Sequence, residues 1–190
     1  MINLALWGVI QMMKTVLSID PGLTCTGMCS SVFDGTSLLI ERVGCVHTNA
    51  VIPLPERMNY ILREVCQFEM EYCLNPDIVI IEDCVIGLNA KGAMKQSELI
   101  GVLWSHYGNG RDECSMYRIN PTDVKMEFTG IGNAKKPAMM AEAESYFGFK
   151  LEGTKPEREA YADAIAIAYS GLIKMGEQCS FGIKLEEGLS

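Results

Sequence analysis

The stretch Val16-Leu17-Ser18-Ile19-Asp20-Pro21-Gly22-Leu23-Thr24-Cys25-Thr26-Gly27 reads as two extended segments joined by a tight turn. Val16, Leu17 and Ile19 carry the pattern of a buried strand, and Pro21-Gly22 forces the chain to turn before it extends again. Asp20 is thereby presented at the end of a buried strand. A carboxylate in that position is costly to desolvate alone and needs hydrogen-bond donors or a cation beside it. The arrangement recurs at Asp77-Ile78-Val79-Ile80-Ile81-Glu82, where four consecutive β-branched residues end in a second carboxylate. A third acidic group, Asp163, interrupts an apolar helix-like run over 160–168 in which little else is polar. Three isolated carboxylates at the edges of apolar elements predict one shared metal site.

The pattern between these points fixes the expected architecture. Strands are predicted over 15–19, 26–33 and 37–43, with Asp34-Gly35 as a hairpin signal between the last two. Pro53 and Pro55 open a helix in which Met58, Ile61, Leu62, Val65 and Phe68 follow helical spacing, and Asn75-Pro76 ends it. A fourth strand covers 77–82. A second helix starts near Ala90, carries Met94, Leu99, Leu103 and Tyr107 along one side, and stops at Gly108 and Gly110. The spacing then predicts a strand over 114–119, a short helix capped by Asn120 and running through Phe128, a glycine-bearing loop over 129–133, and helices over 136–147 and 157–173. This order predicts an α/β domain. Its five-stranded mixed sheet combines a three-strand antiparallel meander with parallel strands, helices cover both faces, and the arrangement is RNase H-like. The nuclease-like domain is expected over 13–175, between a segment 1–12 of unassigned role and a tail over 176–190.

Composition bounds the function. At 190 residues the chain suits one core, and 48% apolar with 21% charged residues is globular. The net charge of −8 argues against general attraction to a polyanion, so contact with nucleic acid has to be local or carried by metal. Met1 to Met12 are apolar but too short to span a bilayer and lack a basic leader pattern, so no membrane association is expected and a cytoplasmic setting is. The eight cysteines, with no secretory context, read as reduced thiols of the core. Zinc held by Cys25 with Cys29, or by Cys45 with His47, is the competing reading, but neither spacing matches a paired zinc motif.

Carboxylates converging from different elements suit hydrolysis of a phosphodiester by two Mg²⁺ ions, with Mn²⁺ as a substitute. Such ions take hard oxygen ligands and require neither His nor Cys. They also let an acidic protein hold a phosphate.

The chain resembles the RuvC-type Holliday junction resolvases from Thr15 to about Leu172. The resemblance rests on Ser18-Ile19-Asp20-Pro21-Gly22 with Thr26-Gly27, on Ile80-Ile81-Glu82, on Gly130-Ile131-Gly132-Asn133-Ala134-Lys135-Lys136, and on Ala162-Asp163-Ala164-Ile165-Ala166-Ile167-Ala168. It implies that Asp20, Glu82 and Asp163 are metal ligands and that Lys125 and Lys136 act near the scissile phosphate. It also implies a homodimer that nicks opposed strands of a four-way junction or other branched DNA. Two departures stand out. The family's second acidic residue, three positions before the last aspartate, is here Ala160, while Glu159 lies one residue earlier and shares a helix face with Asp163. After Glu82, where the family often places an aromatic residue, this chain has Val85 and Ile86, which points to a phage-type member with broad branched-DNA activity.

The segment from Arg118 to Lys136 has four basic and two acidic residues, a local excess in a chain of opposite sign. Lys125, Lys135, Lys136 and Arg118 are therefore candidates for DNA-backbone contact, with Lys91 and Lys95 extending the track. Lys136 follows a glycine loop and opens a helix, a place that suits phosphate. The helix bearing Trp104 is expected to serve both core and dimer interface. The alternatives are a nuclease of RNA–DNA hybrids or flaps, a non-catalytic DNA-binding module, and an actin-like ATPase, although the last needs two lobes.

Overall fold

The computed structural model describes residues 13–85, 89–109, 114–148 and 150–176. The expectations for residues 1–12, Ile86, Gly110 and residues 177–190 lie outside these. The described elements are β1 (Lys14–Asp20), β2 (Cys25–Phe33), β3 (Leu38–His47), α1 (Leu54–Tyr72), β4 (Ile78–Glu82), α2 (Ala90–Gly108), β5 (Ser115–Ile119), α3 (Pro121–Thr129), α4 (Lys136–Phe147) and α5 (Lys155–Lys174). They form a sheet in the order β3-β2-β1-β4-β5. β1, β2 and β3 pair antiparallel, whereas β4 runs parallel to β1 and β5 parallel to β4. The RNase H-like arrangement expected from the element order is the one observed.

Alternation along the central strands divides the core in two. Leu17, Ile19, Val79 and Ile81 face Ile61, Val65 and Phe68 of α1 and Leu99, Leu103 and Tyr107 of α2. Val16, Ile78 and Ile80 face the other layer, where α3, α4 and α5 supply Val124, Phe128, Met139, Ile165 and Ile167. Because β1 and β4 are covered on both faces, they read as near-continuous apolar runs. Met94 leaves the predicted stripe of α2 and is 64% exposed, while its neighbour Ala93 takes the buried position in that turn.

The polar and small residues inside this apolar frame place α5. The Ser18 hydroxyl, fully buried, donates to the Ala164 carbonyl at 2.7 Å and so fixes the helix against β1. Ser170 donates to the Val124 carbonyl at 3.0 Å and ties the far end of α5 to α3. At Gly27, a Cβ would lie 2.5 Å from the Ala160 carbonyl oxygen. A side chain there would push α5 off β2, which is the structural reason for a glycine after Thr26. α5 also begins two residues earlier than the apolar pattern suggests. Thr154 and Glu157 form a reciprocal capping box, with Pro156 in the first turn.

Candidate active site

Asp20 and Glu82 are neighbours by topology. The parallel β1–β4 register pairs Ile19 with Ile81, so the next residue of each strand emerges at the same sheet edge. The loop after Asp20 is held by its own chain and by α1. Gly22 N–H donates to the Asp20 carbonyl at 2.9 Å, Thr26 Oγ1 donates to the Gly22 carbonyl at 2.7 Å, and the buried Arg57 guanidinium donates to the Leu23 carbonyl and to Thr48 Oγ1. α5 crosses this edge and delivers Glu159 and Asp163 from consecutive turns of one face.

The carboxylates act on one another electrostatically. Burial, then the charge of Asp163, pushes Asp20 from 3.8 up to about 7, with Lys136 acting against the rise. Burial, then the charges of Asp20 and Asp163, pushes Glu82 from 4.5 up to about 9, opposed by Lys125 and Lys136. Burial also raises Asp163, with partial relief from Lys136 and Lys125. Lys136 opens α4 and reaches back, placing Nζ 3.1 Å from Glu159 Oε2 and 3.7 Å from Asp163 Oδ2. Partial burial lowers the affinity of Lys136 for its proton, but the Glu159 hydrogen bond and the charges of Asp163, Glu159 and Asp20 outweigh it and leave its pKa raised. Partly buried acids that repel one another at a single edge form a site short of positive charge. Their donor atoms are all hard carboxylate oxygens, which fits a hard divalent cation and not a soft one.

The structure brings Asp20, Glu82, Asp163, Glu159, Lys136 and Lys125 to one region, as their mutual electrostatic effects show. The other basic candidates behave differently. Lys135 is exposed at the N-cap of α4, and Lys91 and Lys95 are exposed on the first turns of α2; none of them figures among the leading charges acting on the carboxylates. Arg118 is paired with Asp83 and lies over the Trp104 ring at 5.8 Å, so it is already engaged within the protein. Val85, three residues after Glu82, is 57% exposed.

Residues 16–170 match the family described as Crossover junction endodeoxyribonuclease RuvC. The chain belongs to the RuvC family. Among its relatives, the RuvC of Alkaliphilus oremlandii is 30% identical over 154 residues, covering 80% of this chain and 89% of that protein. The RuvC of Carboxydothermus hydrogenoformans is 27% identical over 161 residues, covering 85% of this chain and 97% of that protein. The solved structure of Thermus thermophilus RuvC in complex with Holliday junction substrate superposes with a TM-score of 0.67 at 25% identity, covering 86% of this chain and 97% of that one. The acidic edge of this RuvC-family chain is thus built on the family's fold throughout, and no described helix is long and apolar enough to cross a membrane.

One group combines residues that sequence spacing had put in separate pairs. Cys25, Cys45 and His47 place one ligand atom each within 4.8 Å of one another, a tighter cluster than the carboxylates make. Cys29, the alternative partner for Cys25, is instead fully buried in the sheet core. The signal for this trio lay in strand pairing and not in the interval between residues, because the β2–β3 register sets Cys25 opposite His47.

Proposed function

We propose that this protein resolves four-way DNA junctions, and other branched DNA, by metal-dependent hydrolysis of one phosphodiester in each of two opposed strands. RuvC-family proteins are metal-dependent nucleases. The observation that carries the reading is the meeting of Asp20, Glu82 and Asp163, from β1, β4 and α5, beside Lys136 and Lys125 in a chain of that family. Asp20, Glu82, Asp163 and Glu159 would hold two Mg²⁺ ions, with Mn²⁺ able to replace them. When bound, these ions supply Lewis acidity toward the phosphate oxygens and neutralise charge as the phosphodiester is attacked.

The remaining roles belong to the chain itself. Asp20 and Glu82, fixed to adjacent strand ends, set the rigid wall of the site, because neither backbone can shift without breaking the central pairing. Glu159 and Asp163 move only with α5, which Ser18 and Ser170 pin to the sheet and to α3. The Lys136 ammonium stands against these acids from the α4 side, where it can transfer its hydrogen bonds to a non-bridging phosphate oxygen. Lys125, on α3, acts on Glu82 and Asp163 from another direction and adds backbone attraction. Lys135, Lys91 and Lys95 remain candidates for phosphate contacts farther along the DNA arms.

Paired cuts require two sites, and a homodimer with one site per subunit supplies them. The buried side of α2 serves the core through Leu99, Leu103 and Tyr107, while Met94 and Gly101 lie on its open side. That open side is the surface proposed for the second copy. The reading sets the protein in the cytoplasm of a bacterium or of a phage-infected cell, where replicating DNA forms junctions.

Cleavage of a synthetic four-way junction, compared with an RNA–DNA hybrid and a flap, tests the proposal. Incision of the junction on two opposed strands with Mg²⁺ or Mn²⁺, and none with EDTA, is the expected result. Preferential cutting of the hybrid would assign the site to another class of substrate. In the same assay Lys136→Ala slows cleavage by about 10²-fold at unchanged circular dichroism, the size expected for loss of one preorganised positive group. A rate within threefold of wild type, roughly the error of such a comparison, would remove Lys136 from the chemistry.

A further inference from the structure

We propose that Cys25, Cys45 and His47 form a second metal site for a thiophilic ion of the zinc type, beside the carboxylate centre and distinct from it in donor chemistry. The three ligand atoms lie within 4.8 Å of one another, and Cys45 Sγ stands 3.4 Å from His47 Nε2. A tetrahedral zinc with Zn–S of about 2.3 Å and Zn–N of about 2.0–2.1 Å has an S-to-N edge of roughly 3.6 Å, so the pair is already spaced as two corners of such a site. The strands explain why. Cys25 of β2 is directly opposite His47 of β3, and Cys45 lies two residues before His47, hence on the same face of the sheet.

The start of α5 borders the trio, with Glu157 outside the three-atom cluster. Glu157 Oε2 is occupied as the capping-box acceptor, taking hydrogen bonds from Thr154 N–H at 2.7 Å and Thr154 Oγ1 at 2.8 Å. Its other oxygen, Oε1, faces His47 Nε2 at 4.0 Å. The Tyr161 hydroxyl lies 4.0 Å from Cys45 Sγ, where it would act as an outer hydrogen-bonding partner to a coordinated sulfur. Two thiols and an imidazole are a soft and borderline donor set, whereas Asp20, Glu82, Glu159 and Asp163 are hard oxygens. The two sites therefore select different ions from one solution.

The position gives the site a consequence. Glu157 and Tyr161 flank Glu159 on α5, and Cys25 lies five residues beyond Asp20. A metal held here ties β2 to β3 at the point where Glu157 and Tyr161 of α5 approach the strands. A disulfide between Cys25 and Cys45 is the competing use of the same thiols, and it would consume two of the ligands.

The test titrates Co²⁺, as an optical probe for zinc, into the reduced full-length protein saturated with Mg²⁺ so that the carboxylates are occupied. The expected result is a thiolate-to-cobalt charge-transfer band with tetrahedral d–d bands, saturating at one ion per chain and displaced by Zn²⁺. Cys45→Ser weakens the charge-transfer band by at least about half, since Cys25 is then the one thiolate left in the set. His47→Gln, at an exposed position, weakens cobalt binding at least about tenfold, with an unchanged circular dichroism spectrum. Absence of a thiolate band in wild type, or a band that survives intact in both variants, overturns the proposal.

Discussion

Asp20→Asn, Glu82→Gln and Asp163→Asn each lower junction cleavage by at least about 10³-fold while junction affinity stays within a few-fold of wild type. Each substitution keeps the shape of the side chain and removes the charge that would hold a cation. The three residues share one electrostatic neighbourhood: Asp163 raises Asp20, and both raise Glu82. They act as a unit, so a double substitution adds little to a single one. Cleavage assays under single-turnover conditions, beside binding measured by gel shift in Ca²⁺, separate the two effects. A variant that cuts within tenfold of wild type, well short of the loss of a metal ligand, takes that residue out of the site. Glu159→Gln belongs to the same series. Its side chain reaches the site one helical turn from Asp163 and bonds Lys136, so it loses activity less steeply, by about 10- to 10²-fold.

The same substitutions stabilise the metal-free protein at alkaline pH. A carboxyl group whose pKa is raised on folding binds its proton more tightly in the native state than in the unfolded chain. Stability contributed by Asp20 is therefore fully present below about 3.8 and is lost as pH rises toward about 7, and for Glu82 the window runs from 4.5 to about 9. In EDTA at pH 8 Asp20→Asn and Glu82→Gln thus melt above wild type. The gain is on the order of 2–4 kcal/mol, or about 5–10 °C for a domain of this size, and shrinks toward zero at pH 4 to 5. Divalent cations reverse the order, since they stabilise the charged acids of wild type and have fewer ligands in the variants. Differential scanning calorimetry across pH, with EDTA and with Mg²⁺, gives the sign. Equal melting of wild type and both variants in EDTA at pH 8 would mean that the acids are not in conflict. The comparison of variants removes the opposite slope contributed by Cys45, whose thiol is held down to about 6 by the Cys25 hydrogen bond and the nearby His47.

Residues whose placement depends on their own element were legible in the sequence. Asp20 and Glu82 announced themselves because each ends a run of buried strand residues, and Asp163 because nothing in an alanine and isoleucine helix explains it. Residues whose role depends on pairing between distant segments were not. β3 runs on to His47, past the expected end at 43, because Gly44 is no turn: it leaves room for the Phe68 ring, which a Cβ there would approach to 2.9 Å. That extension carries Cys45 and His47 to Cys25, twenty and twenty-two residues away in sequence, where spacing rules for zinc motifs cannot detect them. The partners of Arg118, Asp83 and Trp104, were equally out of view, because they lie on β4's outgoing loop and on α2. The start of α5 was readable in principle. Thr154 and Glu157 have capping-box spacing, but the apolar pattern begins after them.

Anomalous diffraction from crystals of the protein soaked in Mn²⁺ locates the ions themselves. Two manganese peaks about 4 Å apart are expected, bounded by the carboxylates of Asp20, Glu82 and Asp163 and lost in Asp20→Asn. Manganese found only elsewhere, with these three side chains free of it at saturating concentration, would contradict a shared metal site at these carboxylates.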